Sequence, residues 1–148
     1  MFVKDIMSTD PVRCAPETRL REVAELMAGS DCGEIPICDA HGTPIGVVTD
    51  RDIVCRVLAK GLNPLDLSAS QCMTEPVVTA SLDLSVEDCA RLMEQYRVRR
   101  LPVVDAGGAC CGIVTQADLA RRGPRDITAE VLETVSQPGA ASSPGIAR

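Results

Sequence analysis

The pattern Gly-x-x-Thr-x-x-Asp occurs twice in the chain and contains the residues best suited to chemistry. It places Thr49 before Asp52 and, further along, Thr115 before Asp118. Each threonine stands where an apolar strand gives way to a helix, so its hydroxyl and the following N–H groups lie at a helix N-terminus, which suits phosphate. The aspartate is placed to accept hydrogen bonds from ligand hydroxyls. The same spacing also describes a capping box, which only satisfies the first N–H groups of the helix and stabilises it by about 1 kcal/mol.

The composition argues against catalysis and against nucleic-acid binding. Among 148 residues His41 is the only histidine, so a Ser-His-Asp or Cys-His mechanism would depend on that residue alone. Fifteen basic and 21 acidic residues give a net charge of −6, and Phe2 and Tyr96 are the only aromatic residues. Base-stacking platforms need aromatic side chains on a basic face. We therefore expect neither an enzyme nor a nucleic-acid partner.

No apolar stretch after Lys4 forms a signal peptide, and no run of residues approaches transmembrane length. We expect a cytoplasmic protein with no membrane partner, in which the eight cysteines stay reduced. No C-x-x-C motif is present, and a zinc site would need an unusual set of ligands. The sequence therefore predicts no metal.

An internal repeat supplies the elements that must position the two motifs. A shift of 66 residues gives ten identities in the 28 positions from Leu26 to Ile53, without a gap. Each copy spaces apolar residues at i, i+3, i+4 and i+7, followed by two short apolar strands and a second helix. This order predicts a β-α-β-β-α unit, which is too small to bury both helix faces alone. Two such units are expected to pack together in an α+β (α/β) fold.

The predicted organisation follows from the repeat. The first unit spans 1–61, a linker spans 62–67, and the second unit spans 68–125. A short C-terminal helix is predicted at 126–136, followed by a disordered tail at 137–148. The predicted strands are Val12–Cys14, Ile35–Cys38 and Ile45–Thr49 in the first copy, and Val77–Thr79, Leu101–Val104 and Cys111–Thr115 in the second.

Three stretches of each copy resemble the CBS (cystathionine-β-synthase) domain. They are Val3-Lys4-Asp5-Ile6-Met7, Ile35-Pro36-Ile37 and Gly46-Val47-Val48-Thr49-Asp50-Arg51-Asp52, then Cys72-Met73-Thr74, Arg99-Arg100-Leu101-Pro102-Val103-Val104-Asp105 and Gly112-Ile113-Val114-Thr115-Gln116-Ala117-Asp118. The resemblance covers about Val3 to Arg122 and is closest to small stand-alone bacterial CBS pairs. It implies a Bateman module, in which two CBS units related by pseudo-twofold symmetry enclose ligand clefts between their sheets.

The resemblance also implies a function. Such modules bind adenosine-containing ligands (AMP, ADP or ATP, sometimes NAD or S-adenosylmethionine), often form homodimers, and regulate another protein, here unknown, without catalysis. Their threonine and aspartate positions contact phosphate and ribose, which assigns those roles to Thr49, Asp52, Thr115 and Asp118.

The residues before the Leu-Pro of the second copy distinguish the two clefts. The second copy has Arg99 and Arg100 where the first has Gly33 and Glu34. Guanidinium groups suit phosphate and a carboxylate repels it. We therefore expect a phosphorylated ligand in the cleft that Arg99 or Arg100 reaches. In the cleft nearer Glu34 we expect weak binding, no binding, or a less charged nucleoside. A solvated basic surface is the alternative reading of the arginines.

An adenine ring would need an apolar slot beside the phosphate site. Six apolar residues are candidates for it, and ordinary strand core is the alternative reading of each: Val12, Ile35, Pro36, Val77, Leu101 and Pro102. The glycines of the two motifs, Gly46 and Gly112, would keep the strand free of side-chain bulk where a ligand lies against it.

The repeat also sorts the cysteines. Five of the eight occupy positions that are aliphatic in the other copy and are expected to be small buried residues, namely Cys32, Cys38, Cys72, Cys89 and Cys111. The remaining three, Cys14, Cys55 and Cys110, are expected to be the most accessible. A thiol or redox role is therefore one alternative to ligand sensing, and a CBS dimer that binds no ligand is the other.

Overall fold

The computed structural model describes residues 1–126 and 133–134 and contains mixed helices and sheets, as the sequence predicts. The predicted tail at 137–148 and most of the predicted helix at 126–136 lie outside the described residues. The helices and strands, in chain order, are α1 Val3–Ile6, β1 Ser8–Thr9, α2 Leu20–Ser30, β2 Glu34–Cys38, β3 Pro44–Thr49, α3 Asp50–Asp52, α4 Ala69–Cys72, β4 Ala80–Ser81, α5 Val86–Tyr96, β5 Arg100–Val104, β6 Cys110–Thr115 and α6 Gln116–Arg122. After α3 the chain continues as a π-helix over Ile53–Val57 and a 3-10 helix over Leu58–Lys60.

The two long helices, α2 and α5, confirm the predicted repeat in three dimensions. Helix α5 buries all four positions of the stripe that its spacing predicts, including Cys89, whereas α2 buries three of its four and leaves Ala24 exposed. Each also ends on a residue in the left-handed conformation, Asp31 with φ 50° and Arg97 with φ 53°. These two residues are 66 positions apart, so the helices begin and end at equivalent points of the repeat.

Two antiparallel hairpins carry the Thr-x-x-Asp motifs. Strand β2 pairs with β3, and β5 pairs with β6, in the same register. In each connecting turn an aspartate side chain accepts two backbone N–H bonds, Asp39 in the first hairpin and Asp105 in the second. The glycines Gly42 and Gly108 have φ values of 82° and 84°, which L side chains rarely adopt.

The units exchange their N-terminal segments. Strand β1 pairs with β6 of the second unit, through Ser8 opposite Ile113, while Thr74 pairs with Val47 of β3 in the first unit. Helix α1 buries Val3 and Ile6 in the core of the second unit. Helix α4 buries Ala69 and Cys72 in the core of the first. Each hydrophobic core is therefore completed by a segment that precedes the other unit in sequence.

The predicted strands at Val12–Cys14 and Val77–Thr79 are wrong in extent. Cys14 makes a single parallel bridge to Ile37, and the corresponding strand of the second unit is β4, which pairs with β5 through Ala80 and Val103. The facing strands contain Pro36 and Pro102. Because proline has no N–H to donate, a parallel ladder cannot extend back past those positions.

Candidate functional site

The second copy of the motif borders a cleft between the two units. The cleft has a volume of about 290 Å³ and brings β1 and the following loop together with the ends of α2, β2, β5 and β6. Its lining residues are Ser8, Thr9, Asp10, Pro11, Val12, Ser30, Cys32, Glu34, Arg100, Ile113 and Thr115. Three of the predicted site residues, Val12, Arg100 and Thr115, thus lie together.

Thr115 ends β6 and forms a reciprocal capping box with Asp118. The backbone N–H of Thr115 donates to Asp118 Oδ2 at 2.8 Å, and the N–H of Asp118 donates to Thr115 Oγ1 at 3.2 Å. Both residues are half-buried, and Thr115 lies on the cleft wall. Here the capping interpretation is confirmed, and it leaves Thr115 at the surface of the cleft.

The first motif is closed off from solvent. Thr49 is 3% exposed and Asp52 is fully buried. Asp52 accepts from the N–H of Thr49 at 3.0 Å and from the hydroxyl of Thr74 at 3.2 Å, and Arg56 donates to that same hydroxyl at 3.1 Å. In this structure Thr49 and Asp52 cap a helix and anchor the exchanged segment that contains Thr74.

A charged pair lies inside the cleft. The Nε of Arg100 is 3.5 Å from Oε2 of Glu34, whose side chain is 1% exposed, whereas the Arg100 side chain is 31% exposed. Neither carboxylate oxygen of Glu34 has a hydrogen-bond partner. Burial raises the pKa of Glu34 well above its ordinary value; Arg100 opposes that shift, and Asp52 and Asp50 add to it. The cleft therefore contains a poorly satisfied buried acid beside a partly exposed guanidinium.

The expectation that Arg100 and Glu34 belong to different clefts is wrong. The two residues are 66 positions apart, and each is the first residue of its strand, opposite a motif threonine: Glu34 opposite Thr49 and Arg100 opposite Thr115. They are therefore equivalent positions of the repeat. Positions near a twofold axis come close to their own equivalents, so the pair meets in one cleft.

The remaining predicted site residues lie elsewhere. Arg99 is exposed and is not part of the cleft lining, and its carbonyl accepts from the N–H of Gln116 at 2.8 Å. Val77 is half-buried against the core of the second unit. The other four apolar candidates are buried strand residues, which supports their reading as core: Ile35, Pro36, Leu101 and Pro102.

The motif glycines make room for protein rather than for a ligand. A Cβ at Gly112 would lie 2.6 Å from Met7 Sδ and 2.8 Å from the carbonyl oxygen of Ser8, and one at Gly46 would lie 2.8 Å from Met73 Sδ. The space that we predicted for a ligand is thus filled by the exchanged segments, because β1 and Thr74 run directly over β6 and β3.

Sequence reasoning did not place the exchanged residues in the cleft. Ser8, Thr9 and Asp10 border it because β1 crosses to the sheet of the second unit. The match of Met7 to Met73 in the repeat indicated that the segment belongs to each copy, but it carried no signal of which sheet the segment joins. Glu34 was recognised as charged, yet only the fold brings it to Arg100.

The cysteine predictions are partly wrong. Cys55 is exposed, as predicted, but Cys14 and Cys110 are buried, with exposures of 7% and 2%. The repeat compares Cys110 with Pro44 and misses the reason for its burial, which is the turn of the first hairpin packed against it. Of the five cysteines expected to be buried, Cys38, Cys72 and Cys89 are, while Cys32 and Cys111 are half-buried.

Within residues 1–126 and 133–134, no three His, Cys, Asp or Glu side chains are grouped so that they would hold a metal ion. The helices of this same part of the chain are all too short or too polar to cross a membrane.

Two curated relatives match most of the chain. It is 31% identical over 140 residues to hypoxic response protein 1 of Mycobacterium tuberculosis, covering 95% of this chain and 97% of that protein. It is 34% identical over 122 residues to an uncharacterised protein of Methanopyrus kandleri, covering 82% of this chain but only 62% of that protein.

Solved structures share the fold. A crystal structure of hypoxic response protein I with two coordinated zinc ions superposes with a TM-score of 0.75 at 34% identity, covering 84% of this chain and 100% of that one. A CBS domain pair in complex with 5′-methylthioadenosine and S-adenosyl-L-methionine gives 0.73 at 32% identity, covering 82% and 94%. CBSX2 in complex with AMP gives 0.70 at 28% identity, covering 81% and 93%.

The family model of the CBS domain matches the chain twice, at residues 3–59 and 69–125. Both matches include a Thr-x-x-Asp motif and one of the exchanged helices, α1 or α4. The chain therefore belongs to the CBS domain family and carries the domain as a tandem pair.

Proposed function

We propose that this CBS pair is a non-catalytic regulatory module that binds an adenosine-containing ligand of the AMP, ADP or ATP class in the cleft lined by Glu34, Arg100 and Thr115. The observation that carries the proposal is the Glu34–Arg100 pair. Its 3.5 Å separation is long for an ion pair, and the carboxylate has no hydrogen bond. An incoming phosphate offers Arg100 a closer partner, and ligand hydroxyls offer donors to Glu34.

The cleft gives each part of such a ligand a partner of matching chemistry. Arg100 and the hydroxyl of Thr115 suit the phosphate. Val12, Pro11 and Ile113 supply apolar surface for the base. Thr49 and Asp52, which the sequence also assigns to ligand binding, are buried and bonded to each other, so they are not part of the proposed site.

Two arginines make a matched pair for testing the proposal. Arg100→Glu removes the guanidinium from the cleft, while Arg99→Glu makes the same change of charge on the neighbouring residue, which the cleft lining does not include. We expect Arg100→Glu to weaken AMP, ADP and ATP binding at least about tenfold, and Arg99→Glu to weaken it about twofold at most. Isothermal titration calorimetry of the three proteins measures both effects.

A thermal-shift screen decides whether any ligand of this class binds. A molecule that binds only the native state raises the melting temperature, and the shift grows with the logarithm of its concentration once that exceeds the Kd. Adenosine, AMP, ADP, ATP and S-adenosylmethionine form the panel, with GMP as the control for base recognition. If no member of the panel raises the melting temperature, or if the two arginine variants weaken binding equally, the proposal is wrong.

We also propose that the protein acts as a homodimer in the cytoplasm. Large apolar side chains are exposed along the helical run after α3 and the linker that follows, with Val54 and Leu58 each 53% exposed and Leu65 56% exposed. Exposed apolar surface of this kind favours association. Leu58→Glu should convert the dimer to a monomer in light scattering coupled to gel filtration, while Arg99→Glu leaves the mass unchanged. A monomeric wild-type protein would contradict the homodimer.

A further inference from the structure

A second cavity, separate from the Glu34–Arg100 cleft, lies where the turns of the two hairpins meet. It is a groove of about 640 Å³ that opens past the exposed residues Ala40 and His41. Half of the cysteines in the chain line it, and they come from three separate segments: Cys14, Cys38, Cys110 and Cys111. The proposed ligand-binding function uses none of them.

Hydrogen bonds fix the backbone of two of these cysteines, and those of Cys110 join the two units. The N–H of Cys110, at the start of β6, donates to the carbonyl of Gly42 in the turn of the first hairpin at 2.8 Å. Arg13 donates to the carbonyl of Cys110 at 2.7 Å. At the end of β2, the N–H of Cys38 donates to the carbonyl of Cys14 at 2.8 Å. The side chains of Cys38 and Cys110 lie close enough to interact, and the Cys110 thiol also donates to the carbonyl of Gly112 at 3.7 Å.

This contact makes the two sulfurs unequal. The interaction with Cys38 lowers the pKa of the Cys110 thiol to about 7 against the effect of burial, and the Arg13 guanidinium acts in the same direction. The same interaction, together with burial, raises the pKa of Cys38. Cys110 is therefore the thiol better suited to attack an oxidant, and Cys38 is the thiol that then attacks the oxidised sulfur of Cys110.

We propose that Cys38 and Cys110 are a redox-active pair that closes a disulfide between the two CBS units when a peroxide enters the groove. The Cys110 thiolate attacks one oxygen of hydrogen peroxide and the O–O bond breaks; this forms a sulfenic acid, and the departing hydroxide takes up a proton as water. The sulfur of Cys38 then attacks the sulfenic sulfur, forming the S–S bond and breaking the S–O bond. The hydroxyl group leaves with the proton of Cys38 as a second water, so two thiols lose two electrons and one peroxide gains them.

Peptide mapping of the oxidised full-length protein tests the pairing. The protein is treated with hydrogen peroxide, its remaining thiols are blocked with N-ethylmaleimide, and it is digested without reduction by trypsin and Glu-C. The digest places Cys38 on peptide 35–51, apart from Cys32, and places Cys110 and Cys111 on peptide 101–121. We expect a cross-link between these two peptides that disappears with dithiothreitol. Cys111→Ser should retain it, and so should Cys55→Ser, which removes an exposed thiol outside the groove lining.

Trapping the intermediate tests the order of the steps. Cys38→Ser removes the thiol that resolves the sulfenic acid on Cys110, so dimedone should label Cys110 more than in the wild type. In Cys110→Ser, dimedone should not label Cys38. A cross-link that joins Cys14 to Cys38, a cross-link that is lost in Cys111→Ser, or oxidation confined to Cys55 would each overturn the proposal, as would the absence of any cross-link in the wild type.

Discussion

Glu34 is the cleft residue whose surroundings a bound ligand would change most. A buried carboxylate without hydrogen bonds is costly, and a guanidinium at 3.5 Å offsets only part of the cost. A ligand that supplies donors to Glu34 and an anion to Arg100 removes this cost. In such a cleft the unfavourable charge arrangement of the free protein contributes to the affinity for the ligand.

Replacing Glu34 by glutamine should change how stability depends on pH. Burial raises the pKa of Glu34 in the folded protein above its ordinary value of 4.5. As pH rises through and above that value, the unfolded chain releases the proton before the folded protein does, so this group lowers the stability of the wild type. Glutamine does not titrate, and E34Q should therefore gain on the wild type by at least about 1 kcal/mol between about pH 4 and about pH 8.

Urea denaturation of E34Q and wild type from about pH 3 to about pH 8 measures the effect. At the acid end, where Glu34 is protonated in both states, the difference between the proteins should become constant, which provides the internal control. A difference that stays the same at every pH would show that folding leaves the ionisation of Glu34 unchanged.

At the scale of the elements, the exchanged strand β1 decides the shape of the cleft. Its residues Ser8 and Thr9 form one wall, and its position on β6 depends on the missing side chain at Gly112. The equivalent contact in the other unit brings Thr74 onto β3 beside Gly46, where Thr74 covers Asp52. Equivalent exchanged segments therefore have different effects in the two units. The segment with Ser8 and Thr9 forms a wall of the cleft, whereas the segment with Thr74 covers the first Thr-x-x-Asp motif.

Gly112→Ala should displace β1. The new Cβ would lie under 3 Å from Met7 Sδ and from a backbone oxygen of Ser8, and we expect a loss of about 1 to 3 kcal/mol of unfolding free energy with weaker nucleotide binding. Gly29→Ala is the control, because nothing lies within 4 Å of that position in α2 and alanine favours the helix by up to about 1 kcal/mol. Urea denaturation and calorimetry report the two effects. A Gly112→Ala protein as stable as the wild type would contradict the close approach.

The elements themselves were largely predictable, and the contacts between them were not. Apolar spacing predicted α2, α5 and both hairpins, because each buries one face in a regular way. Apolar spacing within a segment does not indicate which distant strand that segment pairs with. The sequence therefore did not predict that Ser8 lies opposite Ile113 or that Glu34 lies beside Arg100. The burial of Cys110 was missed for the same reason, since the turn that covers it is distant in sequence.

The whole molecule is interlocked, and neither half of the chain contains a complete core. Val3 and Ile6 belong to the core of the second unit, and Ala69 and Cys72 to the core of the first. Arg56 and Arg122, again 66 positions apart, fasten the exchanged segments by donating to the carbonyls of Cys72 and Ile6. A change at either segment is therefore transmitted to both units.

Two fragments of equal length test the interlock. Residues 1–67 hold the first unit in sequence, whereas residues 8–74 omit α1 and include α4, so they contain every buried member of the first unit's core. We expect 8–74 to show more helix and a cooperative thermal transition by circular dichroism, and 1–67 to show neither, because a core of this size has little stability to spare. Cooperative folding of 1–67 alone would contradict the exchange.

The contact between Glu34 and Arg100 shows what the duplication of the repeat made possible. If a single copy of the repeat associated as a symmetric dimer, the residue at this position would face an identical residue across the axis. Two glutamates or two arginines would repel each other, so neither charge would be favourable there. Joining the copies in one chain lets the two positions mutate independently. Gene duplication thus allows an opposite-charge pair at a place where exact symmetry permits only like charges.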